Sequence, residues 1–141
     1  MGGMKSQKVN GGYVLVLRKG EPLVRTIAEF CSQHQITAGW LSGIGAVRGA
    51  EIGYYDLEDK NYHFQQLDGL YEVLNLSGNV SKWQDQIILH LHIELADRRL
   101  QSRGGHLKEA EVGGTAEIYL QIFDQPLTRA EDADTGLKLI Q

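Results

Sequence analysis

The run Ile88-Leu89-His90-Leu91-His92-Ile93-Glu94-Leu95-Ala96 carries the residue types best suited to chemistry. In an extended strand successive side chains point to opposite faces, so Leu89, Leu91, Ile93 and Leu95 form an apolar face and His90, His92 and Glu94 share the other. Neighbours on one face lie about 6–7 Å apart along the strand, and two imidazoles so placed can converge on one ion at Zn–N distances of about 2.0–2.1 Å. Further on, Gly104-Gly105-His106 places a third imidazole behind two glycines, which let the backbone bend or approach another strand closely. A hairpin return that delivered His106 would complete a three-histidine set, with a fourth position open to water, substrate or another protein group. A solvated sheet face shows the same His-x-His pattern, and spacing alone leaves both readings open. Glu94 and Glu109 are the carboxylates expected to stand behind such a site, as proton acceptors if it is catalytic; an ordinary surface ion pair is the alternative for each. His63 has no partner pattern and reads as a surface residue.

Other catalytic signatures are missing. Gly43-Ile44-Gly45-Ala46-Val47-Arg48 lacks the last glycine of a dinucleotide-binding turn, and Ser42 lacks the glycine two residues earlier that a nucleophile elbow requires. The single cysteine, Cys31, excludes an intrachain disulfide framework and falls on an apolar helix face, as a buried thiol would. The chain has 14 Lys and Arg against 18 Asp and Glu, a formal charge of −4. A phosphate-binding module normally carries a basic stripe. Here the only dense basic cluster is Arg98, Arg99 and Arg103, and residues 109–134 are acidic apart from Arg129. Tight autonomous DNA binding is therefore disfavoured, unless an oligomer gathers the three arginines of each subunit into one anion or nucleic-acid contact.

The elements that must position these residues are one helix and six or seven strands. A β-branched and aromatic run at 13–17 reads as a strand. Glu21-Pro22 opens a helix over about 22–33, with Leu23, Ile27, Phe30 and Cys31 on one face and His34 at its end. Strands are expected at 40–47, 50–55, 70–78, 87–96 (the longest) and 115–123. This gives an α+β fold with a mainly antiparallel β-sheet packed on one main α-helix. At 141 residues one domain is the default. The expected boundaries are a disordered segment at 1–8, the domain at 9–124 and a polar, acidic tail at 125–141. No apolar run is long enough for a transmembrane helix and the N-terminal residues lack the apolar stretch of a secretory signal, so no membrane association and a cytoplasmic location are expected.

Gly69-Leu70-Tyr71-Glu72-Val73-Leu74-Asn75-Leu76-Ser77-Gly78, with His90-Leu91-His92 and Gly104-Gly105-His106-Leu107, resembles the plant- and prokaryote-conserved (PPC) domain, in its free-standing prokaryotic form. The likeness runs from about residue 13 to 123 and includes Gly43-Ile44-Gly45-Ala46 and Thr115-Ala116-Glu117-Ile118. It implies the PPC-domain fold assembled as a homotrimer, and a metal site at the matching His90, His92 and His106, zinc or another divalent transition metal. It also implies a DNA-associated or regulatory role, by analogy with the plant AT-hook nuclear proteins that carry this domain. Two departures bear on that role. The Arg-Gly-Arg-Pro hook with which the plant proteins grip the minor groove is not in this chain, and Leu70 and Tyr71 replace the usual Arg and Phe of the partner-binding segment.

Two other classes of function stay open beside the DNA-associated one. A metal-dependent enzyme, a zinc hydrolase or lyase, would bind a small molecule at the open position of the three-histidine site. A trimeric interaction scaffold would use the ion structurally or not at all.

Overall fold

Alternation of buried and exposed residues along nearly every strand dictates a sheet with one covered face. In the computed structural model, which describes residues 2–141, the elements are β1 (Lys5–Val9), β2 (Gly12–Arg18), α1 (Leu23–Gln33), β3 (Gly39–Asp56), β4 (Asn61–Trp83), β5 (Gln86–Ala96), β6 (Ser102–Ile122), β7 (Arg129–Glu131) and β8 (Lys138–Ile140). The main sheet has the order β1-β2-β6-β3-β4-β5, every neighbour antiparallel, and β5 pairs again with β6. Strands β3, β4, β5 and β6 thus close into a ring. The fold is α+β, with one helix on a mostly antiparallel sheet.

Closure requires long strands that bend. Register shifts in β3 between Gly43 and Gly45 and between Arg48 and Ala50 supply the bends, since a bulge adds a residue on one strand and sharpens its twist. The expected strands at 40–47 and 50–55 are therefore the continuous β3. The run at 87–96 is not the longest strand: β4 has 23 residues and β6 has 21. Their polar outer positions and glycines read locally as loop, yet two partner strands satisfy their backbone groups.

Helix α1 buries Leu23, Ile27, Phe30 and Cys31 against β5 and β6. Below it lie the fully buried Leu15, Leu17, Leu41, Leu76, Leu91, Leu95, Ile118 and Leu120. Burial pushes the Cys31 thiol up to about 12, so it is an inert core thiol. His34 ends the helix, its Nδ1 3.0 Å from the Phe30 carbonyl and its ring stacked on Phe30 at 4.0 Å.

Both chain ends differ from expectation. Residues 5–8, expected to be disordered, belong to β1, in register with β2 from Lys5 opposite Val16 to Val9 opposite Gly12. Met4 N–H also donates to Glu21 Oε1 at 2.8 Å; Met1 lies outside the described residues. Residues 125–141, expected as a polar tail, form the β7–β8 hairpin. Averaged composition hides a hairpin signal there: the Asp132 carboxylate accepts from Thr135 N–H at 2.9 Å and Thr135 O–H at 2.6 Å, and Gly136 follows with φ 77°. Among the described residues no helix is long and apolar enough to cross a membrane.

Candidate metal centre

Ring closure is what assembles the histidines. In β5, His90 lies opposite Asn79 and His92 opposite Ser77 of β4. On the other edge His92 lies opposite His106 of β6, which is also opposite Gly53 of β3. The paired glycines make this approach possible. A Cβ on Gly104 would come within 2.7 Å of the Ile93 carbonyl oxygen, and one on Gly105 within 2.8 Å of that of Gly53.

A ligand nitrogen from each of His90, His92 and His106 lies within 4.8 Å of the other two. His90 Nε2 and His92 Nε2 are 3.3 Å apart. Two nitrogens bound at about 2.0–2.1 Å to one tetrahedral ion would stand about 3.3–3.4 Å apart, so this pair fits a common metal; a metal-free Nε2–H···Nε2 hydrogen bond has the same spacing. His106 Nδ1 is buried with no hydrogen-bond partner, which the deep face of a ligand ring rarely tolerates without an ion or water. Burial, then the neighbouring imidazoles His90 and His92, holds His106 down to about 4. Burial, His92 and the Arg129 guanidinium lower His90. Both rings are therefore neutral near pH 7, the form that ligates metals. The donor set fits a divalent transition metal.

The other expected residues divide. Glu94, opposite Gly104, lines a cleft of about 390 Å³ with His92 and Arg103. Glu109 is elsewhere: its carboxylate accepts from Val24 N–H at 2.7 Å and Arg25 N–H at 3.1 Å. It caps α1, whose own N-cap, Pro22, makes no side-chain cap. It does not stand behind the histidines. Arg98 and Arg99 are exposed at the tip between β5 and β6, where the Asp97 carboxylate accepts from Arg99 N–H at 2.8 Å and Gln101 N–H at 3.0 Å. His63 is exposed and pairs with Asp59 at 2.7 Å.

Sequence reasoning missed Tyr62, whose ring lies 4.4 Å from that of His106, and Arg129. Arg129 reaches from the C-terminal hairpin to Ser81 Oγ at 2.6 Å and Asn79 Oδ1 at 2.8 Å, beside His90. Its signal was its isolation, a lone base in the acidic run 109–134.

The model of the Plants and Prokaryotes Conserved (PCC) domain, the family written PPC above, matches residues 4–124. Among solved structures, the chain is similar to a metal-containing protein from Archaeoglobus fulgidus (40% identity, TM-score 0.86, covering 100% of this chain and 99% of that one). It is similar to a PPC protein from Pyrococcus horikoshii (32% identity, TM-score 0.86, 100% and 96%). It also resembles a protein from Bacteroides thetaiotaomicron described as a candidate DNA-binding protein (25% identity, TM-score 0.94, 98% and 96%). Among curated relatives, Bifunctional protein GlmU of Synechococcus sp. (strain JA-3-3Ab) is 31% identical over 127 residues, 88% of this chain. The chain spans only 19% of that relative's length. The matched domain begins at residue 4, ahead of the expected boundary at 9, in keeping with β1 as part of the fold. The strand closure that joins the three histidines is thus carried by a chain that belongs to the Plants and Prokaryotes Conserved (PCC) domain family.

Proposed function

We propose that this protein binds a divalent transition metal, zinc in the first instance, through His90, His92 and His106, and acts as a homotrimer with a ligand site at that metal. The observation that carries this reading is the convergence of three imidazoles, with His90 Nε2 and His92 Nε2 at 3.3 Å and His106 Nδ1 buried without a partner. Similarity to a metal-containing archaeal protein supports it. A zinc ion held by three histidines would supply a Lewis acid and bring the pKa of a bound water to about 7. For an enzymatic version of this site, Glu94 is the carboxylate placed beside His92; Glu109 is committed to α1.

Assembly is supported by the sheet face turned away from α1. Trp40, Ile44 and Tyr119 are 48%, 58% and 40% exposed, and strand register sets them on one face: Trp40 opposite Gln121, Ser42 opposite Tyr119, Ile44 opposite Glu117. Large apolar side chains left exposed together on one face, interleaved with polar ones, suit self-association. Trp40 and His90 flank Asn79 in one row, so the metal site borders that face.

Metal analysis of purified, untagged protein beside the His92→Ala variant tests the reading. Near-stoichiometric metal in the wild type, lost in the variant, is expected. No metal in the wild type after zinc loading and buffer exchange would refute it, and the histidines would then be a solvated strand surface.

DNA association is the second reading, favoured by similarity to the Bacteroides protein and by Arg98, Arg99 and Arg103 gathered near one hairpin tip. The net charge of −4 opposes it. It predicts duplex binding that falls steeply with salt and with neutralisation of the three arginines. No binding by the assembled protein at moderate salt would end it.

A further inference from the structure

The C-terminal hairpin lies beyond residue 124, where the family match ends, yet it is bound to the sheet. Tyr55 O–H donates to the Thr135 carbonyl at 2.6 Å, Lys60 Nζ to that of Ala133 at 2.9 Å, and Lys82 N–H to that of Leu127 at 2.8 Å. Arg129 adds its bonds to Ser81 and Asn79, and a third, from Nη1 to the Lys138 carbonyl, at 2.6 Å. Between hairpin and sheet runs a cleft of about 470 Å³, with His90 and His106 on one side. That is within the range of about 300–1,000 Å³ usual for small-molecule sites.

The charges around this cleft are one-sided. Lys60, Arg129 and Lys138 line it, and no Asp or Glu does. Neither of the ion pairs found among the described residues involves any of the three. Asp132, the acid whose charge reaches Lys60, has its carboxylate engaged by Thr135. The Arg129 guanidinium is partly buried, and its three bonds all go to neutral oxygens. Of its five N–H donors two remain. Lys60 has spent one of three donors, and Lys138 Nζ sits 3.5 Å above the Trp83 ring. Lys60 and Lys138 are exposed at the rim, whereas Arg129 is partly desolvated; a partly buried cation without a counter-charge is costly, and an incoming anion relieves that cost. The rest of the lining is largely apolar or aromatic, including Tyr62, Leu89, Leu137 and Leu139.

We infer that this cleft binds a small organic carboxylate with an apolar body. The carboxylate meets Arg129 and the two lysines, and the body packs on the leucines and Tyr62. Planar carboxylates match the guanidinium fork, and the apolar walls disfavour a compact, multiply charged anion such as phosphate. The cations and walls do not depend on a metal. The proposed function adds one expectation, which rests on it: because His90 and His106 line the cleft, zinc held there would place a further positive charge beside the carboxylate, and benzoate would bind the zinc-loaded chain more tightly than the chelator-treated one.

Calorimetric titration of the full chain tests this, zinc-loaded and chelator-treated, at fixed ionic strength. The probes are benzoate, its neutral counterpart benzyl alcohol, and inorganic phosphate. Benzoate is expected to saturate one site per chain, and the other two to bind at least about tenfold more weakly, the loss of one charge-assisted contact. The Lys60→Gln/Lys138→Gln double variant keeps the Arg129 ties; it should hold metal as the wild type does and lose at least about tenfold in benzoate affinity. Equal binding of benzyl alcohol, equal or tighter binding of phosphate, or an unchanged double variant would overturn the inference. So would stoichiometric metal with no benzoate binding, which leaves the metal reading standing. Benzoate binding that the double variant loses, in a wild type that holds no metal, keeps the cleft and removes the metal.

Discussion

Replacing Gly105 by alanine changes one hydrogen into a methyl group at the point where β6 approaches β3. The added Cβ would lie 2.8 Å from the Gly53 carbonyl oxygen, about 0.6 Å inside the 3.4 Å at which ordinary contact begins. Both neighbours are backbone in a closed ring, so relief requires the strands to part. His106 is the next residue on β6 and is itself opposite Gly53, so it moves with them. Metal–ligand distances tolerate about ±0.2 Å, and a displacement of half an ångström exceeds that. Overpacking costs about 1–3 kcal/mol, offset by about 0.4–1 kcal/mol from the lower entropy of the unfolded alanine chain. A net loss of about 1–2 kcal/mol corresponds to a fall in Tm of several degrees. Zinc affinity, read by competition with a chromophoric chelator, should drop about 10–100-fold, as for loss of a group that orients a ligand. Gly114→Ala is the control: on the same strand, its Cβ would meet only the Ala46 Cβ, at 3.9 Å, so zinc affinity should stay at the wild-type value and Tm should not fall, rising by up to a few degrees from the lower entropy of the unfolded alanine chain. Zinc binding by Gly105→Ala within twofold of wild type would refute the claim that close strand approach positions His106.

The helix cap and the neutral histidines give two further tests. Glu109→Ala removes acceptors for Val24 and Arg25 N–H and should cost about 1 kcal/mol in denaturant unfolding; metal content should not change, and metal loss would return Glu109 to the site. His106 is held down to about 4 in the folded chain against an ordinary 6.5, so folding favours its neutral form. The stability of metal-free protein should therefore be complete above about pH 6.5 and decline as pH falls through about 4. The decline should be shallower in His106→Gln when urea midpoints are compared between pH 7.5 and 4; identical profiles would show that His106 is not the titrating group.

Local pattern made several features legible. Strict alternation from Leu89 to Leu95 placed His90, His92 and Glu94 on one strand face before any partner strand was known, because side-chain direction in a strand depends only on parity. The spacing of Leu23, Ile27, Phe30 and Cys31 likewise marked the one helix and its buried side. The glycines before His106 signalled a close approach, though not what would be approached. Where local reading failed, the deciding partner was distant in sequence. Residues 5–8 look unstructured until β2 pairs with them. Glu109 looks like a free acid until Val24 and Arg25, 85 and 84 positions away, present their amides.

By itself, then, the sequence determined the face on which two histidines lie, the helix, the antiparallel class and an acidic balance, all set by periodicity and composition. Only the tertiary structure decided that β5 and β6 close the ring and carry His106 to His92, and that Arg129, 39 positions after His90, lies beside it. Ring closure depends on the register of strands far apart in sequence. That register is fixed by burying the whole core at once, which no local window contains.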